Sequence, residues 1–344
     1  MHQNSTKYRI LLILLFIGVI LLLFLNISLG SVNIPVKDIF GSIFHGEITR
    51  ETYRYIVLQY RLPKAFTAVI TGSGLAISGM LMQTLFRNPL AGPYVLGLSS
   101  GASLGVALVI MGASVFGGTF AALFLSKWSL VIASSLGSLL VLMAVMLASL
   151  KLRDTMAILI IGLMFASLTA AVVSVLSYFS PAADLQQYIF WSFGSLGNLS
   201  WPEVGILALF WVLGTTLAIS CIKNLNTLLL GEQYAKSLGV SIRRNRFKII
   251  LATSILAGSI TAFAGPIAFV GLAVPHLVRQ ILPVNDHRIL LPAVILSGAA
   301  LMLICDIAAQ LPGKEFTLPI NAITSMIGAP VVIWLLVRKR KFLF

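Results

Sequence analysis

Residues 249–278 read IILATSILAGSITAFAGPIAFVGLAVPHLV, with no Asp, Glu, Lys or Arg among them. A bilayer crossing takes about 20 apolar residues, so this stretch is long for a single helix and short for two. Gly265-Pro266 near its middle supplies a break, because proline has no amide hydrogen to donate and disfavours helix in the residue before it. With a turn there the chain crosses ten times, and without it nine. Charge decides between the two, since Lys and Arg collect in cytoplasmic segments. With the turn, both termini share one side. That side then holds most of the 24 basic residues, including Lys7, Arg9, Arg87, Arg243, Arg244, Arg246 and the tail Arg338-Lys339-Arg340-Lys341. Without the turn, the basic tail falls on the opposite side. The reading is ten crossings with both termini cytoplasmic.

Outward from this stretch, charge-free segments place the crossings at roughly 10–29, 65–86, 96–116, 128–150, 155–178, 204–222, 247–265, 266–282, 289–311 and 318–337. Ser180-Pro181 is a turn signal that closes the fifth. The first follows Lys7 and Arg9 as a signal peptide would. Its 20 apolar residues exceed the roughly 7–15 of a signal core, so it reads as a retained helix. Composition agrees with a single polytopic domain: 58% of the 344 residues are hydrophobic and 10% charged, against about 25% charged in soluble domains. A net charge of +14 does not point to nucleic acid, because the basic residues sit at the ends of apolar segments. The partner implied by composition is the lipid bilayer.

Two connections are substantial. Residues 30–60 form a long outer segment with room for a short surface helix. Residues 224–248 form the longest inner loop, where the run from Leu228 to Val240 mixes apolar and polar residues between Gly231 and Gly239. A short helix between two glycine turns is expected there. Thr71-Gly72-Ser73-Gly74 through Gly79 is rich in small residues, the composition that lets helices pack closely in lipid.

The chemistry of an enzyme is missing from the sequence. No G-x-x-x-x-G-K-[ST] run occurs. The four His are scattered, and Cys221 and Cys305 have no metal or disulfide spacing. Intramembrane ionisable residues mark ion-coupled carriers, and Asp306 is the single clear candidate, near the end of the ninth crossing. So short a supply of internal charge implies energy supplied from outside the chain. An ion-gradient-driven secondary transporter, the rival reading, would need paired ionisable groups in mid-span.

Several motifs occur together in order. They are Arg61-Leu62-Pro63-Lys64; Gly79 through Gln83; Leu85-Phe86-Arg87-Asn88-Pro89-Leu90-Ala91; and Leu96-Gly97-Leu98-Ser99-Ser100-Gly101-Ala102. Trp191 through Leu196, Gly231-Glu232 with Ser237-Leu238-Gly239-Val240, Ala264 through Leu272, Val274 through Arg279, Asp286-His287-Arg288 and Ile327-Gly328-Ala329-Pro330 follow. In this pattern the chain resembles the FecCD-type permeases, the membrane subunits of ABC importers for iron–siderophore complexes, haem and vitamin B12.

The resemblance implies an all-α integral membrane protein of the type II ABC importer permease kind, with ten transmembrane helices. It also implies a second permease subunit, identical or related, two cytoplasmic ATPase subunits that carry ATP and Mg, and an external substrate-binding protein. Cargo would pass at the permease dimer interface by alternating access. A ferric siderophore is the first cargo implied, with haem or cobalamin as the alternative.

Residue roles follow by the same resemblance. Arg61 and Lys64, with Lys314 of the last outer loop as a third candidate, would meet carboxylates of the binding protein, ordinary interfacial anchoring being the competing reading. Gly231, Glu232, Ala235, Leu238, Gly239, Arg243 and Arg244 would form the coupling element seated on the ATPase, unless that helix simply lies on the membrane surface. No cofactor or metal is implied on the chain itself. The pattern departs at Gly92, usually an acid; at Lys64, usually Arg; and at Asn321, usually Gly.

Overall fold

The computed structural model describes residues 2–116, 126–151, 155–310 and 316–337, and among these the regular structure is helical throughout. Lys314, Arg153 and the basic tail at 338–341 lie outside the described residues. The chain runs α1 (His2–Ser28), α2 (Val36–Phe44), α3 (Glu51–Ile56), α4 (Leu62–Phe86), α5 (Leu98–Phe116), α6 (Lys127–Lys151), α7 (Thr155–Phe179) and α8 (Ala182–Ser192). It continues with α9 (Trp201–Ser220), α10 (Ile222–Leu228), α11 (Glu232–Ser237), α12 (Ile242–Ala264), α13 (Val270–Ile281), α14 (His287–Gln310) and α15 (Ile320–Val337).

Ten of these, α1, α4, α5, α6, α7, α9, α12, α13, α14 and α15, fall on the ten apolar segments. Among the described residues, seven helices are long and apolar enough to cross a bilayer alone, and α5 and α15 contribute shorter apolar stretches. The exception is α13. At 12 residues it rises only about 18 Å, short of the roughly 30 Å hydrocarbon thickness. The sequence placed a crossing over 266–282, but residues 265–268 and the cap Phe269 are not helical. Pro266 has no amide to give a helix there. Phe269 takes φ 66°, a left-handed conformation unusual for a bulky side chain. The amide of Ala268 donates 3.0 Å to Asn321 Oδ1, which satisfies a main-chain group that the broken helix leaves bare.

Other boundaries also differ from the apolar segments. The outer connection carries two helices, α2 and α3. A π-turn at Val57–Arg61 then runs straight into α4, so the second crossing begins before residue 65. Beyond the Ser180-Pro181 turn lies α8, a helix that the apolar pattern did not mark. At the inner loop, α12 starts at Ile242 and takes Arg243 and Arg244 into its first turn.

By packing, the chain forms two compact units. One contains the stretch up to Ile77, Ser195–Leu209 and the stretch from Ile267; within it α14 packs on α1, α13 and α15. The other contains Ser78–Gly194 and Phe210–Pro266; within it α5 packs on α6, α7, α8 and α12. Close packing in the second unit rests on small residues. A Cβ on Gly137 would lie 2.0 Å from the Gly101 carbonyl oxygen, and one on Gly105 2.0 Å from that of Ala133. Such contacts bring backbones together where no hydrophobic drive separates helix from lipid.

Candidate functional site

The inner loop is built as a short knob between two turns. α10 ends at Leu228, whose carbonyl accepts a hydrogen bond from the Arg87 guanidinium. A cation at a helix C-terminus satisfies a bare carbonyl and complements the helix dipole. Gly231 then takes φ 115° and ψ 146°, a region open in practice to glycine alone. α11 follows, and Gly239 at φ 81° turns the chain toward α12. Ala235 is fully buried, and α11 packs on α10 and α12. The Glu232 carboxylate lies 3.6 Å from Arg246 in α12, and Asn224 Nδ2 donates 3.2 Å to Asn245 Oδ1. The knob is therefore joined to α12 by an ion pair as well as by the chain.

The exposed residues of the knob include three large apolar side chains among the polar Gln233, Lys236 and Ser237. Leu230, Tyr234 and Leu238 recur every four residues and are 63%, 58% and 59% exposed. Arg243 and Arg244 are exposed beside it. Of the residues expected in this element, Leu238, Arg243 and Arg244 are presented outward, whereas Ala235 and Glu232 are engaged inward. Tyr234, Leu230, Arg87 and Arg246 were not among the residues expected there. A four-residue apolar spacing at 230, 234 and 238 was the available signal for the first two.

Arg61 and Lys64 occupy successive turns of the helix entering α4, and neither is a free surface cation. Arg61 is buried and donates through Nη1 to the carbonyls of Ile27, 2.8 Å, and Ser28, 2.9 Å. Its Nη2 donates to the Val32 carbonyl. Ile27 and Ser28 are the last residues of α1, so the guanidinium closes that helix. A Cβ on Gly30 would lie 2.8 Å from Arg61 Nη2, and the missing side chain makes room for the fork.

Lys64 Nζ lies 3.1 Å from Asp306 Oδ1, with side-chain exposures of 20% and 3%. The second oxygen, Oδ2, accepts 2.8 Å hydrogen bonds from Asn26 Nδ2 and from Gln310 Nε2. One buried carboxylate thus ties α1, α4 and α14 together. Sequence alone marked Asp306 as the intramembrane acid; its partners are Gln310, one turn on in α14, and Asn26 and Lys64 from two distant parts of the chain. Among the described residues no group of three or more His, Cys, Asp or Glu is placed to hold a metal.

A model of the FecCD transport family matches residues 16–338, almost the whole chain. The chain belongs to that family. The hemin transport system permease protein HmuU of Yersinia pestis is 35% identical over 328 residues, covering 95% of this chain and 96% of that one. The vitamin B12 import system permease protein BtuC of Escherichia coli O9:H4 (strain HS) is 36% identical over 333 residues, 95% of each. A solved structure described as an inward-facing metal-chelate type ABC transporter superposes with a TM-score of 0.83 at 30% identity, covering 95% of this chain and 99% of that one. As a FecCD-family member the chain is an integral inner-membrane permease with the all-α, ten-helix architecture described above.

Proposed function

We propose that this FecCD-family chain is the permease subunit of an ATP-driven importer that carries a bulky metal chelate across the inner membrane. The observation that carries this reading is the end-to-end likeness to transport-system permeases, at 95% coverage with HmuU. The cargo crosses at the interface of two permease subunits, and ATP and Mg stay on two separate ATPase subunits below. Both termini face the cytoplasm. A loaded binding protein docks on the outer side, around Lys64 and Lys314, and Arg61 holds the end of α1 against the turn that leads into α4. Charge pairs across such a rim set register and encounter rate.

The ion-gradient rival gains little from Lys64 and Asp306. Asp306 is in the last turns of α14, so the pair sits toward the end of that helix. Ferric siderophore is one cargo consistent with the family. Haem or cobalamin has the specific support that the two relatives described above are a haem and a vitamin B12 permease. Cells lacking this chain, offered labelled ferric siderophore, haem or cobalamin, should lose uptake of one of them and regain it on complementation. Unchanged uptake of all three would overturn the proposal.

In this mechanism the ATPase grips Leu230, Tyr234 and Leu238, and α12 receives the motion through Gly239 and the Glu232–Arg246 pair. A buried interface tyrosine is worth about 2 kcal/mol, about thirtyfold in affinity. Tyr234→Asp should therefore weaken ATPase co-assembly by that order. Gly231→Val should leave assembly in place but abolish stimulation of ATP hydrolysis by the loaded binding protein, because its strain of about 1–3 kcal/mol misplaces the knob. Full stimulation in Gly231→Val would remove the coupling role of this loop.

A further inference from the structure

The short helix α2 has two unlike sides. Ile39 and Ser42 are fully buried and Asp38 nearly so. Asp38 Oδ1 accepts 3.0 Å hydrogen bonds from the amide and from the hydroxyl of Thr49. A Cβ on Gly41 would lie 2.5 Å from the Glu47 carbonyl oxygen, so the returning chain presses directly on the helix. This side is closed by the protein's own residues. On the other side Val36, Phe40 and Phe44 recur every four residues and are 51%, 48% and 74% exposed. Val32, 40% exposed, extends the line ahead of the helix. Three large apolar side chains on a nine-residue helix are left without cover.

Continuity shows what covers them. The Phe40 ring stacks on Phe44 at 6.3 Å and on Phe24 of α1 at 5.3 Å. Among the described residues α1 is the least buried of the helices long enough to cross. Its residues Leu21 and Leu25, next to Phe24, are 63% and 45% exposed. The apolar surface of α1 thus turns a corner at Phe24 and runs on along α2. The stripe itself is uncharged, while Asn33 and Lys37 are exposed at the start of the helix.

We propose that Val36, Phe40 and Phe44 form a lipid-inserting face, and that α2 lies flat in the bilayer boundary at the α1 C-terminal end. An amphipathic helix buries such a face to the level where headgroups meet acyl chains. Lys37 extends its apolar stem along the same surface and delivers its ammonium to lipid phosphates. Lipid is the occupant because the stripe joins, ring on ring, a helix that already lies in lipid. α2 also packs against the Val57–Arg61 turn, so the depth of α2 in the membrane sets the level at which Arg61 and the start of α4 stand.

Cys221 and Cys305 are both buried, which leaves an introduced thiol as the accessible one. A nitroxide attached to Phe40→Cys or Phe44→Cys, in the full chain reconstituted in phospholipid nanodiscs, reports collisions with oxygen and with a water-soluble nickel chelate. Oxygen collisions should exceed nickel collisions several-fold at both positions, and the order should reverse at Glu47→Cys. Dominant nickel collisions at 40 and 44 would place the face in water, and protection from both reagents would place it under protein; either overturns the proposal. Phe44→Trp offers the same reading without a label. Its added fluorescence should be quenched by brominated lipid and spared by iodide, and quenching by iodide would count against a lipid contact.

Discussion

Lys64→Met is expected to destabilise the protein by about 3–5 kcal/mol, the usual cost of stranding one member of a buried ion pair. Asp306 would keep two amide donors, from Asn26 and Gln310, but no counter-charge, and its side chain is only 3% exposed. Removing the acid instead costs less. Asp306→Asn strands a lysine that is 20% exposed, and its flexible stem can carry the ammonium to the aqueous edge. About 1–2 kcal/mol is expected there, near the loss from one unmet charged hydrogen bond. The double variant Lys64→Met with Asp306→Leu removes both charges together, and such replacements are neutral or stabilising when volume is kept.

Thermal unfolding of the purified chain in detergent should follow that order: wild type and double variant high, Asp306→Asn intermediate, Lys64→Met lowest. Equal losses from all three would show that the pair is not coupled. Uptake adds a second readout. If the double variant recovers stability but not uptake, Lys64 also meets the binding protein; if both recover, its role is confined to the pair.

The helices on the ten apolar segments were legible because an apolar run of about 20 residues matches the thickness of the hydrocarbon layer, and the break between α12 and α13 because Gly265-Pro266 interrupts the run. The shortness of α13 was not legible. It depends on a left-handed Phe269 and on the side-chain amide of Asn321, 53 residues away from the Ala268 amide it satisfies. In the sequence Asn321 is only a departure from the family pattern, and its use becomes visible once the bare amide is seen.

Arg61 followed the same course. The resemblance led us to expect its partner outside the protein. The atoms it meets are main-chain carbonyls 33 and 34 residues earlier, which carry no signature in any side chain. The inner loop was read more fully, since Gly231 and Gly239 bracket a helix at a spacing with local causes. Which side of that helix faces out was not. Ala235 is the seat and Tyr234 the exposed surface, a distinction that α10 and α12 impose from either end.

Gly72→Leu is expected to lower stability by more than the roughly 1–3 kcal/mol typical of overpacking. A Cβ there would lie 2.2 Å from the Gly298 carbonyl oxygen and 2.6 Å from the Met302 Cβ; one on Gly298 would lie 2.5 Å from the Gly72 carbonyl oxygen. The obstructing atoms are largely backbone, so no rotamer change relieves them and α4 must part from α14. Even alanine should be harmful, although in an ordinary helix it gains close to 1 kcal/mol over glycine. The controls have the opposite sign: a Cβ on Gly18 or Gly205 meets nothing within 4 Å, and alanine at either should be neutral or better. Stabilisation by Gly72→Ala would show that the seam is loose.

The consequence reaches the charge pair along the same two helices. Lys64 precedes Gly72 by eight residues on α4, and Asp306 follows Gly298 by eight on α14. The helices run oppositely, so both steps lead to the same end, about 12 Å from the glycine contact. Close approach at Gly72 and Gly298 is therefore what brings Asp306 within 3.1 Å of Lys64. Gly72→Leu should lose the pair along with the packing, and adding it to Lys64→Met should cost less than the sum of the two alone. Strict additivity in that double variant would mean that the glycine contact and the ion pair are set independently.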